Sequence, residues 1–200
     1  MRYFLKITGI EIYKLRSHLI KWKWASIPLT IGFCIFGFTA TPQNTESPEY
    51  HVKAVFLYNI AQFVEWPKDS VSEETSPIII GVLGKDPFGP YIDETVNGEE
   101  VNGHPLIVER YAAASEIKNC DILFIHSALS PKLAGILKNL KGKSILTISD
   151  APNFAKQGGM VRFFTQENKI RIQINLEAVK EENITISSKL LRLAEIVGPQ

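Results

Sequence analysis

Cysteine is scarce in this sequence: two residues in 200, Cys34 and Cys120. Cys34 lies in an apolar N-terminal run, ASIPLTIGFCIFGFTA, so Cys120 is the one thiol of everything that follows. No internal disulfide can staple that part of the chain, and its stability must come from an apolar core. An excess of one charge is lacking too. Lys and Arg number 22 against 21 Asp and Glu, a net charge of +1. That balance lacks the basic footprint needed to neutralise phosphates and excludes nucleic acid as a partner. Catalytic signatures are missing as well: there is no G-x-S-x-G, no G-x-G-x-x-G and no H-E-x-x-H. After the N-terminal run the histidines are His51, His104 and His126, far apart in the chain, and His104 and His126 are expected as hydrogen-bonding residues rather than metal ligands. With no nucleophile and base at a recognisable spacing, the chain is expected to be no enzyme and to use no metal or cofactor.

What is present begins with a basic segment. Arg2, Lys6, Lys14, Arg16, Lys21 and Lys23 stand against Glu11 and precede the apolar run, which ends in small residues. Residues 1–40 therefore read as a secretory signal peptide, and the expected compartment is the periplasm. Phe38 stands near the expected cut after Ala40, where a small residue is preferred, so a short uncleaved membrane anchor stays open as the alternative. Phe33, directly before Cys34, argues against lipid attachment. Residues 41–50, TPQNTESPEY, read as a linker, and residues 51–198 as a single domain without useful internal repeats. Cys120, beside DILFI, reads as a small core residue.

The domain alternates strands and helices. SPIIIGVLG, HPLIVERY, CDILFIHS and KSILTISD read as strands, and runs such as IIIGVL, ILFI and ILTI suit strands covered on both faces. DPFGPYIDET reads as a short helix capped by Asp86, and SPKLAGILKNL as a helix with Ser130 at the N-cap and Pro131 at N1. The two Asn-Gly pairs of VNGEEVNG mark turns with positive φ. GGMVRFFTQENKIRIQIN alternates on either side of a polar turn at 167–169 and reads as an antiparallel hairpin. SSKLLRLAEIV reads as a closing helix with Leu190, Leu191, Ala194 and Val197 inward. The expected fold is α/β: a three-layer sandwich with a mostly parallel central sheet, helices on both faces and a C-terminal antiparallel hairpin.

The first helix is read in KAVFLYNIAQFVEWP, residues 53–67, with Phe56, Leu57, Ile60, Phe63 and Val64 on its core face. Lys53 falls inside that apolar arc and is read as snorkelling from the first turn, a specific buried pair being the alternative. Val55 and Tyr58 fall on the polar strip, and Trp66 lies at the turn before Pro67. These three are candidate contacts for a partner protein, against an ordinary surface role for the first two and a core role for Trp66.

Asp150 ends a predicted parallel strand, where open α/β sheets bind ligands, and is a ligand-binding candidate alongside a cap or turn role. Gly158 and Gly159, before the hairpin, are candidates for an anion nest or a plain turn. Asn175 is a ligand candidate whose alternative role is to cap the helix LEAVKEE. GKS at 142–144 imitates the end of a phosphate loop, but Leu137 holds the earlier glycine position and a strand follows, so it reads as a turn.

KAVFLYNIAQFVEWP, IIIGVLGKDPFG, ILFI, LTISDAPNFAKQGGMVRFF, IRIQIN and ISSKLLRLA, in this order over residues 50–195, together resemble the YfiR-like family of periplasmic bacterial proteins. The resemblance implies an exported α/β domain, often a homodimer, that restrains an inner-membrane diguanylate cyclase and so lowers cyclic di-GMP output and biofilm formation. Asn175, Ser187 and Ser188 match family motif positions. Some members carry disulfides, and the lone Cys120 puts redox control by an internal bridge in doubt. The expected function is thus non-enzymatic regulation of an inner-membrane signalling protein of diguanylate cyclase type. The alternative is a periplasmic receptor or accessory protein for a small-molecule ligand.

Overall fold

The computed structural model describes residues 47–67 and 76–198. The signal-peptide reading and most of the linker lie outside the described residues. In chain order the elements are α1 (Pro48–Ala61), β1 (Val64–Glu65), β2 (Ile78–Leu83), α2 (Tyr91–Val96), β3 (Glu100–Val101), β4 (His104–Tyr111), β5 (Ile122–Ile125), α3 (Leu133–Leu140), β6 (Leu146–Ser149), β7 (Val161–Gln166), β8 (Lys169–Asn175), α4 (Leu176–Glu181), β9 (Thr185–Ile186), α5 (Ser188–Leu191) and β10 (Ala194–Val197). Short 3-10 turns occupy Ala114–Glu116, Ser127–Lys132 and Ala155–Gln157.

The strands form one large mixed sheet in the order β10-β8-β7-β6-β5-β2-β4-β3, and β1 pairs separately with β9. β2 lies parallel between β4 and β5, and parallel pairing continues through β6 to β7. The expected hairpin is present as β7 and β8, with Gln166 opposite Lys169 and a two-residue turn of Glu167 and Asn168, both at positive φ. Such a turn matches the right-handed twist of its strands. Asn102 and Gly103 make the same kind of turn between β3 and β4, as their sequence predicts.

Period-two alternation distributes the strand side chains between two cores. Ile80, Val82, Ile122, Phe124, Leu146 and Ile148 join the cluster that contains Leu57 and Ile60 of α1. Leu83, Leu123 and Ile125 join the one that contains Leu133, Ile136 and Leu140 of α3. The continuous apolar runs are thus explained, since both sides of each strand are buried. Cys120 belongs to the second cluster as a free buried thiol, pushed up to about 12 by burial.

Four boundaries differ from the sequence reading, each for a local reason. α1 starts at Pro48, within the stretch read as linker, because Ser47 accepts the Glu49 N–H and Pro48 suits the first helical position. It ends at Ala61, and the chain then enters β1, pairing Val64 with Ile186. Its buried positions are Lys53, Ala54, Leu57, Ile60 and Ala61, so the core face is centred on Leu57 while Phe56 and Phe63 are half-buried. Asp86 precedes α2 instead of capping it, accepting the Phe88 and Gly89 N–H groups in a tight turn. Ser130 likewise does not cap α3: its hydroxyl donates back to the Ser127 carbonyl, and Pro131 sits inside a 3-10 turn. His126 opens that turn by accepting the Ala128 N–H.

The largest correction concerns SSKLLRLAEIV, which makes a single helical turn, α5, and then an edge strand. Ala194–Val197 pairs parallel with Ile172–Asn175 of β8. Helical spacing of the leucines is outweighed by the open ladder of β8, and β-branched Ile196 and Val197 suit a strand. Leu190 stays buried, whereas Leu193 is 73% exposed. Leu57→Ala and Leu190→Ala should each cost about 2–5 kcal/mol in denaturant or thermal melts, because each leaves a cavity. Leu193→Ala should change stability by no more than about 0.5 kcal/mol. A Leu193 loss as large as that of Leu190 would contradict this tail.

Candidate functional site

α1 and the residues after it are tied to opposite ends of the sheet. Asp150 directly follows β6 and receives Lys53, while Asp121 directly precedes β5 and its carbonyl accepts the Trp66 indole N–H at 3.3 Å. The helix thus crosses the strands with its first half at their carboxyl ends.

Lys53 does not snorkel. Its side chain is 4% exposed and that of Asp150 is 8% exposed, with Nζ 2.8 Å from Asp150 Oδ2 and 2.7 Å from Glu49 Oε1. The Tyr50 hydroxyl donates to the same Asp150 Oδ2 at 2.7 Å, and Lys53 Nζ lies 4.3 Å from the Tyr50 ring centroid. A helical repeat brings Glu49, Tyr50 and Lys53 to one patch, since they lie within one turn. Burial by itself would push the Asp150 carboxyl up, but the hydrogen bonds from Lys53 and Tyr50 and the Lys53 charge prevail and hold it below its ordinary value of 3.8. The Tyr50 hydroxyl is pushed up, first by burial and then by its bond to Asp150. Asp150 Oδ1 is buried with no hydrogen-bond partner.

These residues line a cleft of about 340 Å³ together with Ser127, Arg162 and Phe164. Ser149 pairs with Arg162, so residues 163–166 of β7 project past the end of β6, and Phe163, Phe164 and Thr165 wall the cleft. Arg162 Nε donates to the Ala151 carbonyl at 3.0 Å, and its guanidinium lies 5.2 Å from the Phe164 ring centroid. Thr165 donates to Glu49 Oε1 at 3.3 Å, joining the wall to α1.

The other ligand candidates lie apart from Asp150. Gly158, at φ +93°, ends a 3-10 turn and lines a separate cleft of about 340 Å³ with Leu137, Thr147 and Glu182. At Gly159 a Cβ would clash with the Phe154 ring, so the glycine permits that ring to close over the backbone. Asn175 is buried, accepts the Glu177 and Ala178 N–H groups at the start of α4 and donates to the Ala155 carbonyl. The GKS imitation is a turn whose Gly142 and Ser144 N–H groups hold the Glu182 carboxylate at 2.8 and 2.9 Å.

Of the partner candidates, Val55 is 38% exposed on α1. Tyr58, half-buried three residues on, donates its hydroxyl to Glu99 Oε2 at 2.6 Å. Trp66 is half-buried against the main core. Sequence reasoning noticed Lys53 and Asp150 separately and missed their union, along with Glu49, Tyr50 and Arg162. The available signal was a lysine on an apolar arc, which demands an acid somewhere.

Among the described residues no three His, Cys, Asp or Glu side chains gather to hold a metal, and no helix is long and apolar enough to cross a membrane. The fold and cleft are those of an α/β domain suited to binding. The family model described as YfiR/HmsC-like matches residues 50–195, and the chain belongs to that family. No curated protein matches it.

Lys53→Met should destabilise the domain by about 3–5 kcal/mol by leaving Asp150 charged and unpaired. Adding Asp150→Asn should recover part of that loss, since the double variant buries no charge at the pair. The acid dependence has a definite sign. Asp150 is held below its ordinary 3.8, so as pH falls the unfolded chain takes up the proton first. Stability from the pair is complete above the ordinary value and is lost as pH falls through the folded-state value. Melts below about pH 4 should therefore be less pH-dependent in Asp150→Asn than in the parent.

Proposed function

We propose that this chain is a non-enzymatic periplasmic regulator that binds the periplasmic part of an inner-membrane signalling protein of diguanylate cyclase type and represses cyclic di-GMP output. The observation that carries this reading is the family match, which runs from α1 into β10 and so takes in nearly every described element. Repression requires that the chain bind one conformation of its partner more tightly than another, and no catalytic residue is needed for that. Self-association as a homodimer belongs to the same proposal.

The outer side of α1 offers the contact. Val52 is 45% and Val55 38% exposed, and Tyr58 follows at helical spacing with its hydroxyl pinned by Glu99. A ring held in one orientation loses little entropy on binding. Trp66 adjoins this helix, but its indole also closes the sheet's amino end, so its loss affects folding as well as contact.

In cells carrying the cognate cyclase, Val55→Glu with Tyr58→Ala should lower the melting temperature modestly, Tyr58 being half-buried against the main core, and raise cyclic di-GMP by more than any loss of folded protein accounts for. Trp66→Ala should lower the melting temperature, with loss of repression following the loss of folded protein. A stable Val55→Glu, Tyr58→Ala variant that represses fully would exclude this face of α1.

A further inference from the structure

The cleft at Asp150 holds an unused acceptor and an incompletely used donor. Asp150 Oδ1 is buried without a partner, on a side chain 8% exposed, while Oδ2 already takes Lys53 and Tyr50. An ionised carboxylate only accepts, so Oδ1 calls for an N–H or O–H group. A buried acceptor without a partner in the chain is costly and calls for a donor from outside it. Across the same cleft Arg162 spends Nε on the Ala151 carbonyl, its one hydrogen bond among the described residues, which leaves the planar Nη donors for another acceptor.

The charges narrow the ligand. Glu49 and Asp150 are balanced formally by Lys53 and Arg162, so the cleft favours neither a net anion nor a net cation. A cationic donor on Oδ1 would also face the Lys53 ammonium across one carboxylate, and like charges at that range repel. A neutral hydroxyl avoids this repulsion and can donate to Asp150 while a neighbouring hydroxyl accepts from Arg162. The half-exposed Phe164 ring adds an apolar surface beside the guanidinium. The volume, about 340 Å³, lies at the small end for ligand sites.

We propose that this cleft binds a neutral polyhydroxylated ligand of monosaccharide size, with one hydroxyl donating to Asp150 Oδ1 and another accepting from Arg162. The site stands independently of the partner-binding reading. Oδ1 is covered in the unliganded domain, so the ligand enters as the lining of the cleft gives way. Ser127 and Arg162 in that lining are half-buried, and no hydrogen bond within the described residues holds the Ser127 hydroxyl.

The test is an amide NMR titration of the exported protein with glucose, galactose, mannose and N-acetylglucosamine, and with alanine as a zwitterionic probe, alongside thermal melts. At least one sugar should shift the Ser127, Ala151 and Arg162 amides saturably and raise the melting temperature. Arg162→Met should weaken that binding about tenfold or more, through loss of a charged hydrogen bond. Asp150 remains paired in this variant, and its own melting temperature reports whether the fold is retained. Absence of saturable shifts with every sugar, shifts confined to the Gly158 cleft, or a response to alanine alone would overturn the assignment. The wild-type titration decides even if Arg162→Met proves unstable.

Discussion

The buried ion pair of Lys53 and Asp150 is the constraint around which the carboxyl end of the sheet is arranged. Two charges removed from water are tolerated only when their geometry is good and their remaining hydrogen-bonding capacity is largely met. Lys53 meets Glu49 as well as Asp150, and Asp150 Oδ2 receives Tyr50 as well as Lys53. Hydrophobic burial would allow α1 to slide along an apolar surface. The pair gives it one position, because a displaced Lys53 would leave a charge unpaired in a dry interior. This is a source of specificity more than of net stability.

The opposite end of the strap is fixed more cheaply. Beyond α1 the chain joins β9 through a two-residue ladder, and the Trp66 indole caps the Asp121 carbonyl. Between these ties, Ala54, Leu57, Ile60 and Ala61 supply the apolar contact. One side of the helix is spent on the sheet while Val52 and Val55 face outward, so core packing and the proposed partner contact draw on different residues of the same short segment. The cleft at Asp150 belongs to the first set, being lined by Glu49, Tyr50 and Lys53 of the helix.

Much of this was legible in the sequence. The strands β2, β5 and β6 are apolar without interruption because both of their sides are buried, and β7 and β8 alternate around a polar turn. These are local signals that the tertiary structure reinforces. Asn175 carried a capping pattern and caps α4. The tail was misread because Leu190, Leu191 and Ala194 satisfy a helical spacing equally well, and the open edge of β8 that captures residues 194–197 is invisible in the local pattern. The ion pair escaped for a related reason. Lys53 was conspicuous on its apolar arc and Asp150 at its strand end, but 97 residues separate them, and only the register of α1 on the sheet brings them together.

The central claim is that Lys53 keeps the Asp150 carboxylate ionised in the interior. Carboxyl NMR titration of Asp150 in the parent and in Lys53→Met measures this directly. The account predicts titration below 3.8 in the parent and a clear upward move in the variant, where burial acts without the lysine. The same midpoint in both proteins, or a parent value above the ordinary one, would contradict it.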